Sequence, residues 1–263
     1  MSFLQDISKQ PFLMRLEQID LLASLPEIVA LSGAPDEVER ELALLFALLH
    51  DNVAPYYRPI DVTLELLALL ESKSAHTARH SMRVAAVGRI LAKSLTTNIV
   101  LVERISLAAL LHDVGKLVIP NRILDKKSKL TFDERKCVQT HALFTDIILS
   151  AFPDFDVIRE IAALHHEHLN GTGYPYGCTA TGLSLAPRII AVADIFVALT
   201  EDRPYRSGIT IAAALHRLSS LAREGILDVK VVARALEMLM VHNHFDTIWR
   251  PSPIGIAVAL NEL

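Results

Sequence analysis

Apolar positions recur at helical spacing in one stretch after another: Glu37 to His50, Asp61 to Ser72, Ala75 to Leu95 and Ile99 to Leu111. The same pattern continues through Phe132 to Leu149, Val157 to His168, Leu185 to Thr200, Ile209 to Ala222 and Val229 to Met240. It predicts an all-α protein. Before residue 70, Pro11, Pro26 and Pro35 interrupt the periodicity, so this part reads as short amphipathic helices. Ala34-Pro35-Asp36-Glu37 suits a helix start, with proline in the first turn and acids behind it. From Asn170 to Ser184 the pattern gives way to a loop rich in Gly, Thr and Tyr. The tail from Pro251 is apolar and uncharged until Glu262 and is expected to pack back on the body. Two units are expected: a small helical module over 1–70 and a larger helical domain over 71–263. The first carries no chemistry of its own. Sensing, docking and dimerisation all fit it, and a homodimer is compatible with it.

Composition supports this picture and narrows the function. With 263 residues, 51% of them hydrophobic, the chain can bury a substantial core, and sparse glycine beside abundant Leu and Ala favours helix. A net charge of −4 exerts no global pull on DNA or an anionic membrane. An anionic substrate must therefore be met locally, by metals and a few Lys or Arg. No segment approaches the ~18 uninterrupted apolar residues of a membrane span, and residues 1–10 lack the features of a signal peptide. A cytoplasmic location is expected. Cys137 and Cys178 form no C-x-x-C pair and read as reduced thiols.

The chemistry lies in histidines and acids. His165-His166-Glu167-His168 runs into Asn170-Gly171-Thr172-Gly173-Tyr174-Pro175, and upstream stands His112-Asp113-Val114-Gly115-Lys116. A packed core requires neither. His76 and His80 stand four apart and project from one helix face, and His112 and Lys116 are expected to do the same on another. His165 and His166 would lie about 100° apart on a helix and suit two ions a few ångströms apart, one each. Asp113 offers two oxygens that could bridge them. Imidazole with carboxylate suits iron, manganese, zinc or nickel. Asp194, inside the apolar run Ile189 to Val197, is costly to bury unless paired or bound to a metal. His50-Asp51 repeats the dipeptide after a similar helix but lacks the following Gly and Lys, and reads as a helix end. His216, His242 and His244 lie outside any constellation. Arg203 and Arg206, three apart beside Tyr205, would make a phosphate and base clamp.

These segments together resemble the HD-GYP domains, a bacterial branch of the HD metal-dependent phosphohydrolases. The matching stretches run in order from His80-Ser81-Met82-Arg83-Val84-Ala85 through Leu110 to Pro120, Lys129-Leu130-Thr131, His141, His165-His166-Glu167, Gly171 to Pro175 and Arg188 to Asp194, to Asp202-Arg203-Pro204-Tyr205-Arg206. They cover roughly residues 70 to 240. The resemblance implies a helical HD bundle with two or three divalent metals, commonly iron or manganese. It implies hydrolysis of cyclic di-GMP to pGpG or GMP. The implied metal ligands are His80, His112, Asp113 as bridge, His141, His165, His166 and Asp194. His76 stands where three-metal members carry a glutamate. Lys116, Gly173, Tyr174, Arg203 and Arg206 match substrate-contacting positions, with Asp113 and Lys116 the catalytic pair. A signalling protein could engage the GYP loop or the N-terminal helices. Asn170, Val197 and Lys127-Ser128 depart from the usual residues and bear on selectivity. Other cyclic dinucleotides, such as cyclic GMP-AMP, and a slow or inactive receptor role stay open.

Overall fold

The computed structural model describes residues 29–30, 32–52, 59–202 and 207–241. Helix α1 (Pro35–Asn52) begins as its sequence requires, with Asp36 and Glu37 against the positive end of its dipole. It buries Val38, Leu42 and Leu45 along one stripe. Helix α2 (Pro59–Lys73) buries Val62, Leu66, Leu67 and Leu70. Helix α3 (Ala75–Leu95) is capped by Ser74, which accepts from the Thr77 amide, and α4 (Ile99–Leu111) by Asn98, which accepts from Leu101. A 3-10 turn (Val114–Val118) and a single turn of helix, α5 (Asn121–Leu124), follow.

Next come α6 (Phe132–Gln139), α7 (His141–Ser150) and α8 (Asp156–Ala163). Beyond the long loop stand α9 (Leu185–Thr200), α10 (Ile211–Arg223) and α11 (Val229–Val241). The described residues contain no strand; Asn170 and Thr179 form an isolated bridge that pinches the loop. No described helix is long and apolar enough to cross a membrane. The fold is all-α, as the apolar spacing predicts.

Helix α3 is the central element and packs most extensively against α4 and α9. Phe144, Phe155, Phe196, Leu91, Ile105 and Leu111 are among the largest fully buried side chains. Helix α2 spans the expected boundary at residue 70, and Val38, Leu42 and Leu66 belong to the same buried cluster as the helices that follow. Helix α1 lies against the 3-10 turn, and Arg122 donates to the Glu37 carboxylate at 2.6–3.0 Å. This pair is exposed, so apolar contact rather than the ion pair holds α1 in place.

Three expectations about helices need correction. The stretch Phe132 to Leu149 is two helices, jointed at Thr140, whose hydroxyl bonds back to the Cys137 carbonyl at 2.6 Å instead of facing solvent. The helix expected over Val157 to His168 stops at Ala163, so His165 and His166 sit in the turn beyond it. Likewise His112 ends α4 and Lys116 lies in the 3-10 turn, so the two do not share a regular helix face.

Candidate metal centre

Those corrected helix ends build the site. The last carbonyls of a helix lack intrahelical donors. His112 Nδ1 donates to the Ala109 carbonyl at 2.7 Å, His141 Nδ1 to Val138 at 2.6 Å and His165 Nδ1 to Ala162 at 2.7 Å. One device recurs three times: a histidine placed three residues past a carbonyl at the end of α4, α6 or α8. A carbonyl only accepts, so each Nδ1 carries the proton and each Nε2 keeps a free lone pair.

These lone pairs face one another. His141 Nε2 lies 3.4 Å from His165 Nε2, and neither can donate. Asp113 Oδ1 is 3.3 Å from His141 Nε2, and Oδ2 is 3.4 Å from His112 Nε2 and 2.7 Å from Lys116 Nζ. Acceptor against acceptor is unfavourable in a dry site unless a cation sits between them. His112, Asp113, His141 and His165 are each no more than 2% exposed. Ligand atoms of three groups come within 4.8 Å of one another: His141, His165 and His166; His80, His112 and Asp194; and His112, Asp113 and His165. The donor set and its geometry therefore fit divalent cations.

His80 is held differently. Its Nε2 is 2.8 Å from Asp194 Oδ1, and its Nδ1 is 3.1 Å from Glu201 Oε1. His76, half-buried one turn earlier, is 3.8 Å from Glu201 and belongs to none of the three groups.

Burial drives the electrostatics. It pushes the His141 imidazole down to about 4 and that of His166 to about 3, the latter helped by neighbouring His141. His165 is likewise held well below its ordinary value by burial and by His166. All three are neutral at physiological pH, the state a metal needs. Burial also works against the charge of Asp113, but neighbouring positive charge, led by Lys116, outweighs it and keeps its carboxyl well below the usual range. His80 runs the other way. Hydrogen bonds to Asp194 and Glu201 overcome its burial and raise it to about 9.

A pH optimum for the metal-free fold follows. An unfolded histidine titrates near 6.5. Below that value the unfolded chain takes up protons that folded His141 and His166 refuse, so stability falls on acidification. Above it, folded His80 keeps a proton that the unfolded chain has lost, and its contribution fades as pH rises toward 9. The metal-free protein should melt highest near pH 6.5. A melting temperature still climbing at pH 9 would contradict this balance.

The glycine-rich loop closes over the histidines. Tyr174 donates its amide to the His166 carbonyl at 3.2 Å, and its ring lies 4.7 Å from the His166 ring at 33°. Burial raises its phenol, with Asp194 and Asp113 adding to the effect. Gly173 is wedged against backbone: a Cβ there would stand 2.3 Å from His168 N and 2.5 Å from His166 O. The bond from Tyr174 to Pro175 is cis. His168 pairs with Thr172 at 3.0 Å and stays apart from the ligand cluster. Asn170 accepts from the Thr172 amide and donates to the Glu224 carbonyl, so it shapes the turn without touching the ligands. Val197 is fully buried, and Lys127 and Ser128 are exposed. Arg203 and Arg206 lie outside the described residues.

A family model described as HD domain matches residues 66–231, more than half of the chain. The chain is 40% identical over 202 residues to the 3′3′-cGAMP-specific phosphodiesterase 3 of Vibrio cholerae, covering 76% of this chain and 43% of that protein. It is 34% identical over 188 residues to a cyclic di-GMP phosphodiesterase of Thermotoga maritima, covering 70% and 51%. The chain belongs to the HD-GYP branch of the HD-domain family. Its fold is similar to that of Bd1817, an HDG"Y"P protein of Bdellovibrio bacteriovorus, at a TM-score of 0.52 and 17% identity over 90% of this chain and 75% of that one. The chain spans less than half the length of the first two curated relatives it matches. Membership of the HD-domain family implies divalent-metal binding, in agreement with the three ligand groups.

Two residues of this HD-GYP chain escaped the sequence reading. Glu167, 3% exposed, accepts from the amides of Tyr176 at 2.6 Å, Gly177 at 3.0 Å and Cys178 at 2.8 Å. It fastens the loop to the turn that carries both histidines. Its one sequence signal was its place between those histidines and the glycines. Glu167→Gln keeps one acceptor oxygen but loses the charge, and should cost about 1–3 kcal/mol. Faster hydrogen exchange at the amides of 176–178 checks this; unchanged exchange contradicts it. Glu201, 1% exposed, is the second; in sequence it stands directly before Asp202 and Arg203.

Proposed function

We propose that this chain is a metal-dependent phosphodiesterase that hydrolyses cyclic di-GMP to pGpG or GMP. One observation carries the reading: the Nε2 atoms of His112 and His141 face the two oxygens of Asp113, and His165 Nε2 faces that of His141. His80, His112 and Asp194 would hold one ion and His141, His165 and His166 a second, with Asp113 shared. Iron or manganese suits imidazole and carboxylate donors. When bound, such ions supply Lewis-acid charge for phosphoryl oxygens and an activated water at neutral pH.

The chain's own residues do the rest. Lys116, half-buried with its Nζ 2.7 Å from Asp113, is placed to neutralise charge on a phosphoryl oxygen once the substrate is seated. Tyr174, laid over His166, walls the mouth of the site, and Gly173 allows the loop backbone to press this close. Arg203 and Arg206 would hold the second phosphate or stack on a guanine. Burial of the ligand cluster keeps bulk water away from the reacting phosphate.

A second substrate, cyclic GMP-AMP, is favoured by the 40% identity to a relative named as specific for it. The test is anaerobic purification, metal quantification, and assay of both cyclic dinucleotides with product analysis. Hydrolysis of cyclic di-GMP with about two ions per chain is expected. A metal-loaded protein that turns over neither substrate would refute the reading, and turnover of cyclic GMP-AMP alone would move it to that substrate.

A further inference from the structure

We infer that Glu201 is a positioning residue for His80: it accepts the Nδ1 proton and so presents Nε2 to an ion held together with His112 and Asp194. The inference rests on the metal assignment above and extends it to a residue that the assignment does not use.

The argument starts from the three histidines fixed by helix-end carbonyls. His80 cannot use that device. It lies inside α3 (Ala75–Leu95), where the carbonyls one turn back accept from helix amides. Its Nδ1 needs an acceptor from elsewhere, and Glu201, 121 positions along the chain, provides one at 3.1 Å. The placement follows from helix geometry. Asp194 lies within α9 and Glu201 is its C-cap, seven residues on. Seven residues make nearly two full turns, so both carboxylates come to the same side of α9. One helix thus grips the imidazole of His80 at both nitrogens, Asp194 at Nε2 and Glu201 at Nδ1.

Burial points the same way. Glu201 is 1% exposed, and a carboxylate so deeply buried is costly unless it is paired. Arg83 at 3.7 Å and His76 at 3.8 Å also face it. A carboxylate behind a ligating imidazole fixes its tautomer and raises its basicity more than a neutral carbonyl does. One group of candidate ligands therefore has a charged outer partner, whereas His141 and His165 of the other rest on carbonyls.

The test is a titration of metal-free protein with Mn2+, with free ion counted by electron paramagnetic resonance. Wild type should take up two ions. Glu201→Gln, which keeps the shape but not the charge, should weaken one ion by about 10–100-fold and leave the other within roughly twofold. Glu201→Ala should weaken the same ion at least as much. A merely structural role would lower the melting temperature without this selectivity. Two ions bound by Glu201→Gln as in wild type, or both weakened equally, would overturn the inference alone. A wild-type chain that takes up no Mn2+ would overturn the metal assignment with it. Should neither variant fold, wild type labelled with 15N-histidine and loaded with Zn2+ decides. One ligand imidazole should then show an Nδ1 proton at the low field of a carboxylate-bonded donor, and absence of that resonance overturns the inference.

Discussion

Asp113→Ala should lower turnover at least hundredfold and leave the chain with no more than one tightly held ion. The expectation comes from where its two oxygens stand. Oδ1 faces His141 at 3.3 Å, and Oδ2 faces His112 at 3.4 Å and Lys116 at 2.7 Å. Asp194, by contrast, groups with His80 and His112. Two cations a few ångströms apart repel strongly in a buried site, and a shared anion between them is what offsets that repulsion. Removing an outer partner of a ligand already costs about 10–100-fold, so losing a shared inner ligand should cost more. The fold should survive, because Lys116 is half-buried and can turn to solvent once its partner is gone. Metal content after dialysis, turnover and circular dichroism check this together. Native-like turnover with two ions retained would remove Asp113 from the centre. Asp113→Asn, of equal shape but neutral, should resemble the alanine variant if charge is what matters.

The parts of this site that sequence made legible are those whose chemistry is local. The tandem His165-His166, the His112-Asp113 pair and an acid buried at Asp194 carry their meaning in residue type and neighbours. The apolar spacing of α3, α4 and α9 was equally plain, because each buries a stripe against the same core. Helix ends were not legible. Whether a helix stops at Ala163 or runs on through His168 depends on a side chain capturing the Ala162 carbonyl, a contact that periodicity does not encode. That mattered, because the histidines were expected to project from helix faces and instead stand at helix ends or in the turns just beyond them. Glu201 was less legible still. It faces a histidine 121 positions away, and its surroundings in sequence are those of an ordinary polar helix end. Glu167 stood in plain view beside the histidines, yet its bonds run to amides 9–11 residues on, which only the folded loop brings back.

Gly115→Ala should be the most damaging of the small substitutions, and the reason is contact rather than backbone conformation. A Cβ at this position would stand 1.9 Å from the His141 carbonyl oxygen and 2.6 Å from the Thr145 amide nitrogen. Both are backbone atoms at the start of α7, so no side chain can swing aside to make room. The 3-10 turn is also stitched to that helix: Gly115 donates to Thr145 Oγ1 at 3.0 Å, and the same hydroxyl donates to the His112 carbonyl at 3.0 Å. Adding one methyl must push the turn off α7 by about 1 Å or more, stretching both bonds. Overpacking of this kind costs about 3 kcal/mol at the upper end of its usual range. At about 2–4 °C per kcal/mol for a domain of this size, melting should fall by roughly 6–12 °C. Function should suffer beyond stability, because the turn follows Asp113 and α7 begins with His141, the two proposed ligands that meet at 3.3 Å. A displacement of about 1 Å between groups that must act together can cost about a hundredfold in rate. Gly182→Ala is the matched control, since a Cβ there meets only Cys178 Cβ at 3.9 Å, an ordinary contact. If Gly115→Ala melts with wild type and keeps its metal, the close seat of the turn on α7 is not what aligns Asp113 with His141.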